Sequence, residues 1–91
     1  MYNITSYTKR KADKLGVKVK PSVKPGKKID VYKNGKLITS VGDKNYGDYP
    51  TFIKYFGLEY ANKRRKLYKA RHDKYRNIKG SASYYADQLL W

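Results

Sequence analysis

The dipeptide Asn34-Gly35 constrains this chain more than any other feature, because two β-capable runs, IDVYK and KLITSV, meet at it. A two-residue type I′ connection needs positive φ at both central positions, and Asn followed by Gly tolerates this best. The sequence therefore predicts a β-hairpin over about residues 29–41. Ile29 and Val31 alternate with Asp30 and Tyr32, which makes one face apolar and the other mixed. An isolated hairpin is marginal in water, so the apolar face must rest on other elements, and the C-terminal helices are the candidates.

Helical signals flank the hairpin. Thr5 or Ser6 can cap a helix over residues 5–15 that Gly16 ends. Tyr7, Ala12 and Leu15 fall near one of its faces, and Lys9, Arg10, Lys11 and Lys14 make up the other. Val17 to Lys28, VKVKPSVKPGKK, is rich in Pro, Lys and Val and reads as an extended or polyproline-like basic arm carrying Lys18 and Lys20. Beyond the hairpin GDKNYGDY is turn-rich, Asp48 or Tyr49 precedes Pro50 at a first helical position, and Phe52, Ile53 and Phe56 supply core. Gly57 breaks that short helix.

A longer helix is expected from about Leu58 to Tyr75, with Glu59 in its favourable first turn and Ala61, Leu67, Tyr68 and Tyr75 as its inward stripe. Ser81 or Ser83 can cap a final turn or two, SYYADQLLW. Its Leu89, Leu90 and Trp91 are too apolar to remain in water, so they close the core or dock on another subunit. The expected fold class is a small single α+β domain: a hairpin packed on C-terminal helices over 29–91, preceded by a basic helix and extended arm over 1–28.

Charge bounds the function. The chain carries 22 Lys and Arg against 7 Asp and Glu, a formal +15 on 91 residues. Such a surplus repels itself in a compact domain and seeks a polyanion: nucleic acid, an acidic protein surface or, less well suited because the basic helix lacks a continuous large apolar face, an anionic membrane. Residues 63–76, KRRKLYKARHDKYR, hold nine Lys, Arg and His opposed only by Asp73. Lys63, Arg64, Arg65, Lys66, Lys69, Arg71 and Arg76 can meet phosphates along a groove, and Tyr68 and Tyr75 can stack on bases. Lys outnumbers the bidentate Arg readers, so little base specificity is expected. KRRK also matches a nuclear-import pattern.

Other classes fare poorly. With no cysteine there is no disulfide, thiolate or zinc-ribbon chemistry. His72 is the only histidine and sits among cations, while Asp30, Asp43, Asp48, Glu59, Asp73 and Asp87 lack the spacing of a metal-nuclease site. No phosphate loop of the GxxxxGK type occurs. The reading is non-enzymatic, with no metal, cofactor or small-molecule substrate. No apolar run approaches the roughly 18 residues that span a bilayer, and the N-terminus lacks a signal-peptide core, so a soluble, unsecreted protein is expected.

The stretches SYTKRKADKLGVKVKPS, KKIDVYKNGK and DYPTFIKYFGLEYANKRRKLYKARHDKYRNIKGSASYYADQLLW together resemble small basic proteins of giant, nucleocytoplasmic large DNA viruses. The likeness covers nearly the whole chain and brings no catalytic motif. It implies a viral structural protein of minor capsid or cement type, located in the virion or in the host cytoplasm or nucleus during infection. Its basic surfaces would bind acidic capsid proteins or packaged DNA, and it would work as part of a larger assembly. The alternative expectation is a sequence-nonspecific nucleic-acid-binding protein of viral replication or transcription.

Overall fold

A computed structural model describes residues 2–91, and the hairpin is its centre. β2 (Lys27–Lys33) and β3 (Lys36–Asp43) pair antiparallel, with Lys33 opposite Lys36. The connection is Asn34-Gly35, at φ values of 54° and 78°, so both residues occupy the left-handed region that the turn requires. Val31 faces Thr39 while Tyr32 faces Leu37, leaving Ile38 as the extra residue of a β-bulge. Ile29, Val31 and Val41 are buried.

The expected arm is extended, and part of it is a paired strand. β1 (Lys18–Pro21) pairs antiparallel with β2, Val19 opposite Val31, and completes a three-stranded sheet in the order β1-β2-β3. The alternation of Val17 and Val19 with Lys18 and Lys20 is a strand pattern, and the donor-less Pro21 is tolerated because the strand lies at an edge. Lys18 and Lys20 point to water, Val19 is half-buried, and Val17 just before the strand is buried. The core therefore draws on residues from both sides of the division expected at residue 28.

Four helices complete the α+β domain. α1 (Ser6–Leu15) is capped by Thr5, whose side chain accepts from the Thr8 amide, and ends at Gly16 in the left-handed conformation. It packs on α4 (Ala82–Leu90), which starts at the Ser81 cap. The Thr8 hydroxyl donates to the Leu89 carbonyl at 2.8 Å and the Tyr7 hydroxyl to the Trp91 carbonyl at 3.0 Å. Carbonyls that a helix end leaves without intrahelical partners are thus satisfied from α1. Leu89, Leu90 and Trp91 are all buried in the chain's own core, which settles their role as core closure.

α2 (Tyr49–Phe56) begins at Asp48, whose carboxylate accepts from the Thr51 amide, and Gly57 turns the chain into α3 (Leu58–Arg76). The inward stripe expected of α3 is half right. Ala61 and Tyr68 are buried, but Leu67 is 59% and Tyr75 52% exposed. The helix touches the body along a narrow line, because only positions near Ala61 and Tyr68 turn inward, and Leu67 lies a quarter-turn away from them. Phe56, expected in the core, is also exposed, while Phe52 and Ile53 are half-buried against it.

Candidate polyanion-binding surface

The buried charges explain the surface. Asp30, Asp48, Asp87 and Lys28 are the buried charged residues, so 21 of the 22 cations but only four of the seven acids lie outside the interior. Each buried acid is occupied internally. Asp30 accepts from the Ser22 and Ser40 hydroxyls, both at 2.6 Å, and from the Val23 amide. Asp48 caps α2, accepts from the Tyr2 hydroxyl at 2.7 Å and pairs with Lys28 at 2.9 Å. Burial pushes the pKa of both acids up, but the hydrogen bonds to Asp30, and those to Asp48 together with the Lys28 charge, outweigh it and hold both below the ordinary carboxylate range.

α3 distributes its cations around the helix according to the 100° step. Lys69 and Arg76 lean toward α4, where Asp87 accepts from Lys69 at 2.8 Å, and Arg76 also pairs with Asp73 at 2.9 Å. Arg65 lies over the Tyr49 ring at 4.5 Å. Lys63, Lys66 and Lys74 face water on the far side. Arg64 and Arg71 are exposed on a third flank, Arg64 with its guanidinium 5.5 Å from the Phe52 ring centre. Among the described residues only Lys28, Lys69 and Arg76 meet a carboxylate within salt-bridge distance.

The structure joins part of the sequence-distant set. Lys11 of α1 packs on Tyr7, its ammonium 5.2 Å from the ring centre. Burial lowers its pKa first, and the nearby charges of Lys69, Arg65 and Lys14 lower it further. Lys11 and Lys14 of α1 thus lie within electrostatic reach of Arg65 and Lys69 of α3, with Asp87 opposing them. Lys9 and Arg10 are exposed on α1, and Lys18 and Lys20 on β1, with the Lys20 ammonium 5.3 Å from the Tyr32 ring centre.

Tyr68 is corrected as a stacking candidate. It is 8% exposed and sits between Trp91 and His72, its ring 4.3 Å from each. Burial raises its pKa first, assisted by the Asp87 charge, to about 12. Tyr75 remains open to solvent. Lys69 and Arg76 are corrected as freely available contacts, since their charges already answer Asp87 and Asp73.

Sequence reasoning missed His72 and Lys27, which border a cleft of about 500 Å³ between the β2–β3 end of the sheet, α3 and α4. The sequence shows His72 as a single histidine among cations; its offset of four from Tyr68, one helical turn, is the available signal. Burial and the neighbouring Arg71 charge lower its pKa, which favours a neutral imidazole near pH 7. No group of three or more His, Cys, Asp or Glu capable of holding a metal occurs among the described residues, and no described helix is long and apolar enough to cross a membrane. Neither a family model, nor a curated protein, nor a solved structure matches this chain.

Proposed function

We propose that this chain is a non-enzymatic binding protein that holds nucleic acid, with little sequence preference, on the basic surface of α1 and α3. The observation that carries the reading is the segregation of charge: three of the seven acids are turned inward and spent on capping and internal pairing, while all cations but Lys28 lie outside the interior and most meet no carboxylate. A merely solvated helix interleaves Glu with Lys at i,i+4 along its length, which α3 does once, at Glu59 and Lys63. A row of unpaired cations instead gains free energy by displacing counterions from a phosphate backbone.

The test is fluorescence anisotropy with labelled duplex DNA, single-stranded DNA and an acidic polypeptide, each across a salt series. Tight binding to one nucleic-acid form, with log K falling steeply against log salt and far exceeding the polypeptide, supports the reading. Equal weak binding to all three, or a shallow slope, refutes it.

A second reading, a viral minor capsid or cement protein that binds acidic capsid surfaces, is favoured by one observation. Tyr55, Phe56, Leu58 and Tyr60 are exposed together at the α2–α3 corner, an apolar patch that suits contact with protein better than contact with phosphate. Mass spectrometry of purified particles distinguishes the two: fixed copy number supports it and absence removes it.

A further inference from the structure

The cleft between the sheet, α3 and α4 combines features that a general basic surface does not need. One wall is an aromatic stack of Trp91, Tyr68 and His72: Trp91 and Tyr68 are 4.3 Å apart with planes 8° from parallel, Tyr68 and His72 4.3 Å apart at 25°. The stack ends at His72, since no other described ring lies against that imidazole. The rim carries Lys27, Arg64 and Arg71 against a single exposed acid, Asp43. Arg64 and Arg71 are seven residues apart on one flank of α3, about 10 Å along its axis. Leu90 and Ala86 give an apolar floor, and Ser83 at the start of α4 adds a hydroxyl. On the sheet side Gly42 has φ +84°, and a Cβ there would lie 2.8 Å from Leu90 Cδ1. The sheet thus approaches α4 closely, and this contact closes the base of the cleft.

A volume of about 500 Å³, a planar ring at which a stack terminates, and a cationic rim fit one chemical class: a nucleotide, flat and aromatic at one end and anionic at the other. We propose that the cleft binds one unpaired nucleotide, its base laid on His72 as the next member of the Trp91–Tyr68–His72 stack and its phosphate held by Arg71 and Arg64. The nucleotide is either free or a unit of a single strand; in the second case the proposal rests on the nucleic-acid reading above and makes that reading specific for unpaired strands. A base in a duplex is stacked on both faces and cannot reach the imidazole. The neutral state favoured for His72 suits stacking, and the phosphate is left to the guanidinium groups.

Two residues report on the cleft without labels, because the chain has one Trp and one His and both line it. The experiment is titration of the full chain with adenosine monophosphate, an oligodeoxyadenylate single strand, the corresponding duplex and ribose 5-phosphate. Proton NMR follows the His72 imidazole, and emission excited at 295 nm follows Trp91. A saturable upfield shift of the imidazole resonance with the monophosphate or the single strand, but not with ribose phosphate, is expected.

His72→Ala should weaken that binding roughly tenfold, as loss of one stacked base does, and His72→Phe should restore it. Arg71→Ala, at an exposed site, should weaken it severalfold, while the double variant Lys63→Ala/Lys74→Ala, of equal or greater charge loss on another flank, should leave the imidazole shift intact. Circular dichroism confirms that each variant is folded. Single-strand binding without an imidazole shift, or binding that weakens as much in the Lys63/Lys74 variant as in Arg71→Ala, overturns the cleft and leaves the polyanion reading standing. Preference for duplex also overturns it. Binding of the monophosphate with no binding of any strand keeps the cleft and overturns the nucleic-acid reading.

Discussion

Trp91 lies face to face on Tyr68, ring centres 4.3 Å apart and planes within 8°, so the last residue of the chain is fixed to the middle of its most basic helix. Ala61 and Tyr68 are the only buried residues of the nineteen in α3, and this contact therefore carries much of the helix's attachment.

Trp91→Ala should destabilise the protein by about 3–5 kcal/mol, because a large ring is lost and the α3 seat is left hollow. Urea denaturation checks this. A variant as stable as the parent would mean that α3 is held elsewhere.

The Lys28–Asp48 pair is buried on both sides, with side-chain exposures of 5% and 1%. Lys28→Met should cost less than Asp48→Ala, which strands an ammonium in the interior and uncaps α2, a loss of about 3–5 kcal/mol. The double variant should recover part of it, and thermal unfolding of all three, read as a double-mutant cycle, tests the coupling.

Acid should unfold the protein through Asp30 and Asp48. Their folded pKa values lie below the unfolded ones, so the unfolded state takes up protons first, and stability present above about pH 4 is lost as pH falls through the folded values. Tyr68 works in the opposite limb. Its pKa of about 12 exceeds the unfolded value near 10, so stability falls as pH rises beyond about 10. Chemical denaturation across pH should show both limbs, and Asp30→Asn should flatten the acid one.

Arg65 and Lys66 are neighbours with different work to do. Arg65→Ala removes a guanidinium packed on Tyr49 and should lower stability by about 0.5–2 kcal/mol. Lys66→Ala, on the solvent flank, should leave the melting temperature nearly unchanged and lower only polyanion affinity. Melting curves and the salt series, measured on both variants, separate the two effects.

Much of the fold was legible because local chemistry agreed with it. Asn34-Gly35 fixed the hairpin, Gly16 and Gly57 the helix ends, and Asp48 before Pro50 the start of α2. The arm misled because Pro21 and Pro25 obscure a four-residue strand whose pairing with β2 is a tertiary fact. Leu67 misled because a helix attached along a thin line leaves an apolar residue a quarter-turn away outside; Tyr75 keeps the seven-residue spacing of Ala61 and Tyr68 and is exposed all the same. The basic residues themselves could be read from the sequence. The sorting of those residues could not, since Lys69 and Arg76 are claimed by Asp87, a residue beyond the loop whose inward position depends on how α4 docks.

β1 leaves one margin of the sheet open, with Lys18 and Lys20 exposed along it and Pro21 offering no amide. Two molecules meeting margin to margin would set ammonium beside ammonium, so the strand resists the fibrous pairing that bare edges invite. The lysine part of that resistance is electrostatic. A bound polyanion would cancel it, and copies held along one polymer would be released from the repulsion that keeps them apart in free solution.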